Sequence, residues 1–386
     1  MVVEFERARA VLGDLVAFPT VSDRSNLALI DYAETILTDC GARVRRVPDA
    51  SGEKANLFAT LGPDGPGGVA LSGHSDVVPV EGQSWSTDPF VLTERDGRLY
   101  GRGACDMKGF LACALTAAPL FARAGLERPV HFAISHDEEV GCIGAPAMIE
   151  TMAKELPPIG AVIVGEPTEM KVVTAHKGLH SFRVEITGRE AHSSLVRDGA
   201  CAVTAAARLM GVLLEEADAL EAAAPSDSPF DPPFGTLTIG RMGGGTASNI
   251  LAKTAWFECL IRPAPWDDTP RIEERLRARA AELEAEMRRA APEARVQVDT
   301  RSHVPALALE DDGAAERLAR ALTGDNARRT VSYGTEGGQF QAAGMSTVVC
   351  GPGSIAQAHQ PDEFIAIDQL REGLRFMHAL ADHMSR

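Results

Sequence analysis

The sequence has 386 residues, a formal net charge of −16, and 45% hydrophobic residues with few aromatics. That length sets a prior of two domains, and the composition fits a soluble globular chain and excludes the disordered class. No run approaches the roughly 18 apolar residues of a membrane span, and the acidic balance excludes nucleic-acid partners, which need basic stripes.

From the start to about Lys177 the pattern alternates helix and strand. Residues 5 to 17 and 27 to 40 carry apolar positions at helical spacing, with Gly41 placed to end the second helix. Val44 to Val47, Ala55 to Leu61 and Val69 to Ser72 read as strands. A largely buried helix over 107 to 124 follows, then a strand over 130 to 134, a helix near 144 to 154, and the buried run Ala161-Val162-Ile163-Val164. This alternation predicts an α/β domain, a mainly parallel sheet with helices on both faces.

The texture changes after Lys177. Ser181 to Thr187 alternates like a half-exposed strand, and residues 199 to 224 form a long Ala/Leu-rich helix. Pro225 to Pro233 is a break, Gly235 to Gly240 and Thr254 to Ile261 are strand candidates, and 268 to 290 is a charged amphipathic helix. These elements predict a smaller α+β unit with one helical layer. From about Asp311 the first style resumes, with a helix over 312 to 323, a Gly-rich turn at 334 to 338, a strand from Thr347 to Cys350 and a helix over 367 to 384. The organisation expected is one domain, 1–178 and 298–386, interrupted by a second, 179–297.

The amino terminus lacks the basic-then-apolar form of a secretory signal. The seven cysteines are odd in number and scattered, with no Cys-x-x-Cys pair. A reduced, cytoplasmic compartment is therefore expected.

Five short stretches carry candidate chemistry. In Ala133-Ile134-Ser135-His136-Asp137-Glu138-Glu139-Val140-Gly141 an apolar run ends in three consecutive carboxylates. Crowded carboxylates repel and call for a cation, and adjacent residues on an extended chain point apart, so Glu138 and Glu139 are not expected to share one task. In Ser72-Gly73-His74-Ser75-Asp76, period two puts His74 and Asp76 on one side, and the Asp76 carboxylate can accept from the distal ring N–H of His74. A turn-capping aspartate beside an idle histidine is the alternative. Asp106, just before the buried helix, can be an N-cap or a carboxylate shared between two ions. Glu166 ends another apolar run, and His359 in Gln357-Ala358-His359-Gln360-Pro361-Asp362-Glu363 lies beyond a further strand. Singly, each is more often structural. Together they follow four or five different strands, and open α/β sheets gather ligands outside the carboxyl ends of their strands. Two histidines and several carboxylates, with no thiolates, suit a pair of divalent ions such as Zn²⁺ or Co²⁺ and the chemistry of hydrolysis. His131, His136, His303, His378 and His383 sit singly and are expected to be surface or satisfied histidines.

These motifs, in this order, resemble the di-zinc family that includes acetylornithine deacetylase, succinyl-diaminopimelate desuccinylase, carboxypeptidase G and aminoacylase. The resemblance covers nearly the whole chain. It implies that His74, Asp106 and Glu166 hold one metal and Asp106, Glu139 and His359 the other, with Glu138 as general base and Asp76 orienting His74. It further implies a homodimer formed through the inserted domain. His192, in Gly188-Arg189-Glu190-Ala191-His192-Ser193-Ser194, matches the family's oxyanion-stabilising histidine. Gly199-Ala200-Cys201-Ala202 lacks the asparagine that often follows in relatives. Asn249 and Arg262 match positions that bind substrate carboxylates, for which a guanidinium fork is suited.

The run Tyr333 to Phe340, with Cys350 to His359, resembles the acetylornithine deacetylase branch; the desuccinylase branch more often has Thr-Ser-Gly-Gly in the first of these places. Glu336 is expected to meet an amino group of the substrate, and Gly353 and Ser354 to bind its carboxylate. The resemblance thus implies removal of the acetyl group from N-acetylornithine, a step of arginine biosynthesis. The rivals are a desuccinylase, carboxypeptidase or dipeptidase on the same centre, and, from another class, a non-catalytic binding or structural metal protein, which needs no base and keeps no open position.

Overall fold

The computed structural model describes residues 2–386, and the chain divides into two compact units. The first comprises Met1–Ala175, Leu307–Thr330 and Thr335–Arg386, the second His176–Ala306 and Val331–Gly334.

The first unit opens with helices α1 (Val2–Ala17) and α2 (Leu27–Asp39), followed by β1 (Arg43–Pro48), β2 (Ala55–Leu61) and β3 (Gly68–His74). Short strands β4 (Thr93–Arg95) and β5 (Arg98–Tyr100) precede α3 (Lys108–Arg123), β6 (Val130–Ser135), α4 (Ala145–Glu155) and β7 (Ile159–Pro167). The six-stranded sheet has the order β1-β2-β6-β3-β7-β14, where β14 is Thr347–Gly351. Strands β6, β3, β7 and β14 are mutually parallel, while β1 and β2 form an antiparallel edge. Every residue of β2, β3, β6 and β14 is buried, which explains their near-continuous apolar character. Helices α1, α2, α3 and the last helix supply much of the core, including Leu12, Leu15, Phe110, Phe121 and Leu374.

Two of the four passages between the units fall within two-residue strands, β8 (Ala175–His176) and β13 (Thr330–Val331). The second unit contains β9 (Leu179–Thr187), α5 (Ala202–Ala222), β10 (Thr236–Gly244), β11 (Thr254–Arg262), α6 (Thr269–Arg288) and β12 (Arg295–Val304). Its sheet, in the order β10-β11-β9-β12, is wholly antiparallel. Strand β9 buries alternate residues, so Phe182, Val184 and Ile186 share one core with Leu209 and Leu213 of α5 and Leu276 and Leu283 of α6. Helix α6 is started by the Asp268 side chain, which accepts from Arg271 N at 3.1 Å.

Two elements differ from expectation. Strand β12 has no counterpart in the sequence reading, because charged and polar residues interrupt its alternation beyond Val298. It pairs with β9 from Arg295↔Thr187 to Val304↔Leu179, so residues 298–304 belong to the antiparallel sheet of the second unit. Of the stretch read as a turn at 334 to 338, Gly337 and Gly338 instead open helix α8 (Gly337–Ala342), which follows α7 (Ala314–Thr323). Strand β15 (Phe364–Ala366) and helix α9 (Ile367–Met384) close the chain.

Candidate active site

Four adjacent parallel strands deliver the site. His74 is the last residue of β3, Glu138 and Glu139 follow β6, Glu166 lies near the end of β7, and His359 follows β14. Asp106 comes from the loop ahead of α3. The burial that makes these strands apolar thus ends where their charged residues emerge.

Asp106 stands at the centre. Its Oδ1 lies 3.1 Å from His74 Nε2, and its Oδ2 lies 3.4 Å from His359 Nε2. His74 Nε2 is also 3.6 Å from Glu166 Oε1, and His359 Nε2 is 2.9 Å from Glu139 Oε2. Ligand atoms of His74, Asp106 and Glu139 fall within 4.8 Å of one another, as do those of His74, Glu138 and Glu166. The His74 ring is oriented from behind, since Nδ1–H donates to the main-chain oxygen of Asp76 at 2.9 Å. Once Nε2 gives up its own proton, its lone pair faces Asp106 and Glu166, where a cation would be held.

The electrostatics agree with a cation-binding centre. Burial, reinforced by neighbouring carboxylates, pushes the Glu138 carboxyl up to about 8 and also raises Glu139 and Glu166. Burial opposes charge on Asp106 as well, but hydrogen bonds from His359 and His74 hold it below the usual carboxylate range. The same contacts with Asp106 and Glu139 raise His359 to about 10. Four carboxylates therefore share two imidazoles, a charge deficit that divalent ions remove. Nitrogen and carboxylate oxygen donors suit such ions. Cys105 and Cys142 lie close by, but burial raises both thiols well above their ordinary value, so they do not compete as thiolates.

Two expectations are corrected. The Asp76 carboxylate is not the acceptor for His74: its Oδ1 is 3.6 Å from Nδ1, and the main-chain oxygen takes the bond. The carboxylate instead accepts from Ser22 Oγ at 2.7 Å and from the main-chain N–H groups of Glu138 and Glu139 at 3.1 and 3.2 Å. It fixes the turn that presents both glutamates. Glu336 is not free for a substrate amine: it is 1% exposed and accepts from Ser72 Oγ at 3.0 Å and from Ser135 Oγ. A lone acidic residue in a glycine-rich stretch gave no hint of serines on two distant strands.

Gly353 has φ +92° and its N–H already donates to Gln369 Oε1 at 3.1 Å. Ser354 is half-buried, and its main-chain oxygen lies 3.3 Å from Cys105 Sγ. His192, Asn249 and Arg262 belong to the second unit. There His192 is exposed, with Nδ1 2.7 Å from Ser194 Oγ, and the main-chain oxygen of Asn249 accepts from Ser193 N at 2.9 Å. Arg262 is half-buried, and burial lowers its pKa. Asp137, the third carboxylate after β6, faces Lys54 Nζ at 2.5 Å. Sequence reading passed over Cys142, whose Sγ donates to Glu138 Oε1 at 3.1 Å, and over Arg102 and Glu363.

Fold and cluster together define a class: an α/β unit that carries an imidazole–carboxylate centre on the carboxyl ends of its parallel strands, in a chain with a separate antiparallel unit. The chain belongs to Peptidase family M20/M25/M40, whose model matches residues 70–383. It is 38% identical over 367 residues to the acetylornithine deacetylase of Myxococcus xanthus, covering 94% of this chain and 93% of that one. Among solved structures, it resembles the M20 family metallo-carboxypeptidase Sso-CP2 of Sulfolobus solfataricus, with a TM-score of 0.76, 18% identity, and 98% and 99% of the two chains covered. It also resembles the YXEP protein of Bacillus subtilis, described as a dinuclear metal binding peptidase, with a TM-score of 0.68, 17% identity, and 99% of each chain covered. These structures establish the fold.

Proposed function

We propose that this chain is a metal-dependent amidohydrolase that removes the acetyl group from N2-acetyl-L-ornithine, giving L-ornithine and acetate for arginine biosynthesis. The hydrolytic reading is carried by one observation: Asp106 turns its two oxygens to two different histidines, with Glu138 beside them. The substrate is taken from the acetylornithine deacetylase relatives, at 38% identity for the Myxococcus xanthus protein.

His74, Asp106 and Glu166 would hold one divalent ion, and Asp106, Glu139 and His359 the other, Asp106 serving both sets. Zn²⁺ is the expected ion, and Co²⁺ fits the same donors. Two such ions, when bound, supply the charge that acidifies water and polarises an amide carbonyl. Glu138 takes the proton of the attacking water and returns it to the departing amine, the task of a positioned general base. Cys142 Sγ–H, donating to Glu138 Oε1, keeps that carboxylate turned toward the centre. His192 is assigned, on the family resemblance, to the oxygen that gains negative charge. Asn249, Arg262 and Ser354 are assigned in the same way to the substrate carboxylate.

The second unit is assigned to homodimer formation. Seven unpaired cysteines suit a reducing, cytoplasmic setting, and among the described residues no helix is long and apolar enough to cross a membrane. Hydrolysis of N-acetylornithine, N-succinyl-diaminopimelate, N-acetylmethionine and a dipeptide, compared by kcat/KM on the zinc-loaded protein, tests the reading. N-acetylornithine is expected to lead, and a leading dipeptide or succinyl substrate refutes the substrate assignment.

A further inference from the structure

One buried ion pair outside the ligand set joins the two loops that carry Asp106 and His359. Arg102 and Glu363 are each 1% exposed, and Arg102 Nη1 donates to Glu363 Oε2 at 2.7 Å. Glu363 does more than neutralise the arginine. Its Oε1 accepts from the main-chain N–H groups of Cys105 and Asp106 at 2.9 and 3.0 Å, and Oε2 accepts from Gly103 N at 3.1 Å. A single carboxylate thus receives three main-chain amides of one loop and a guanidinium. An uncompensated carboxylate in such a place is costly, so the set is a built arrangement.

Arg102 reaches the other loop. Its Nη1 lies 3.3 Å from Gln360 O, and its Nη2 donates to Gln83 Oε1, while Gln83 Nε2 donates to the main-chain oxygen of His359 at 2.9 Å. The guanidinium also covers the Trp85 ring, 4.9 Å from its centroid.

The two candidate ion positions depend unequally on this frame. His74 ends a buried strand, its side chain is 1% exposed, and its own Nδ1 is tied to Asp76 O. Glu166 lies in β7. The His359 side chain is 53% exposed and sits on a loop residue with φ +61°, so its direction is set by main-chain contacts made by others.

We propose that Arg102 and Glu363 form a positioning clamp, with Gln83 as its outer arm, that aligns Asp106 with His359 and thereby governs uptake of the ion shared by Asp106, Glu139 and His359. It governs far less the ion shared by His74, Asp106 and Glu166. The clamp rests on the dinuclear reading above. Neither Arg102 nor Glu363 touches the substrate in this scheme.

The test is a titration of metal-free full-length chain with Zn²⁺ against a chelating indicator, on wild type, Glu363→Gln and Gln83→Ala, with circular dichroism to check folding. The Glu363→Gln amide presents N–H groups where main-chain N–H groups already point, so the frame is broken at nearly constant volume. Partners that orient metal ligands typically change affinity 10–100-fold. The expected result is two ions in wild type, with one losing about 10–100-fold in Glu363→Gln and a smaller part of that in Gln83→Ala, while the other is retained. Because Glu363→Gln removes a buried charge, Gln83→Ala decides if that variant does not fold. Both ions bound with wild-type affinity in every folded variant overturns the clamp, as does equal weakening of the two ions in Gln83→Ala. A wild-type chain that takes up one ion overturns the dinuclear reading itself, and the two failures are thereby distinguished.

Discussion

Glu139 Oε2 and His359 Nε2 meet at 2.9 Å, joining the loop after β6 to the loop after β14. The contact brings together strands at two different places in one parallel array, with β3 and β7 between them. A carboxylate and an exposed imidazole held this way share a proton in the absence of a cation and offer a ligand pair in its presence. Asp106, from the loop ahead of α3, reaches both His359 and His74.

Glu138 separates proton transfer from metal holding. Glu138→Gln keeps the shape but cannot accept a proton, so kcat is expected to fall by about 10²–10⁴, the usual contribution of a positioned base. Two equivalents of metal should remain bound. Steady-state kinetics with metal analysis on the same sample checks this, and normal turnover by the variant removes Glu138 from the mechanism.

Metal removal is expected to destabilise the first unit. Ions that bind the native state alone stabilise it by about 4 kcal/mol when free ligand is a thousandfold above Kd. Thermal unfolding of the chelator-treated chain should therefore begin well below that of the zinc-loaded chain. Coincident melting curves would mean that the buried carboxylates are not neutralised by metal.

Glu336 is expected to act as a tie between β3 and β6. Glu336→Ala strands the hydroxyls of Ser72 and Ser135, at a cost of roughly 1–3 kcal/mol for each group left unpaired. Tm should fall while the ratio of N-acetylornithine to N-acetylmethionine hydrolysis stays near wild type. A collapse of that ratio at unchanged Tm would restore the contact with the substrate amine.

His131, in β6, gives a pH signature away from the site. Burial lowers its pKa to about 4, from an ordinary 6.5, and its Nδ1 lies 2.9 Å from Thr60 Oγ1. Between pH 6.5 and 4 the unfolded chain binds this proton and the native chain does not, so native stability falls as pH falls through that window. The loss amounts to about 3 kcal/mol at the lower end. Denaturant unfolding of wild type and His131→Asn at a series of pH values should show the difference between them shrinking toward acid. A constant difference contradicts it.

Much of this was legible from the chain alone, for physical reasons that can be named. Runs such as Val130–Ile134, apolar but for His131, and Ala161–Val164 do not alternate with exposed polar residues, which is the mark of strands covered on both sides. Charged residues just past them then stand out, and His74, Asp106, Glu138, Glu139, Glu166 and His359 were each visible in this way. The partners of those residues were not. Asp76 was paired with His74 by strand periodicity, but the chain turns after β3, and its carboxylate goes to the Glu138–Glu139 amides. The hold of Glu363 on Gly103, Cys105 and Asp106 spans distant sequence and uses main-chain donors, which leave no trace in residue identity. Strand β12 was hidden because only one of its faces is apolar, and that face is interrupted by Thr300 and Arg301.

The central claim is that Asp106 stands between two ions. Crystals of the zinc-loaded chain, measured at the zinc absorption edge, test it most directly. Two anomalous peaks about 3.5–4 Å apart are expected, one beside His74 and Glu166 and the other beside Glu139 and His359, with an oxygen of Asp106 toward each. A single peak, or two peaks away from Asp106, would contradict it.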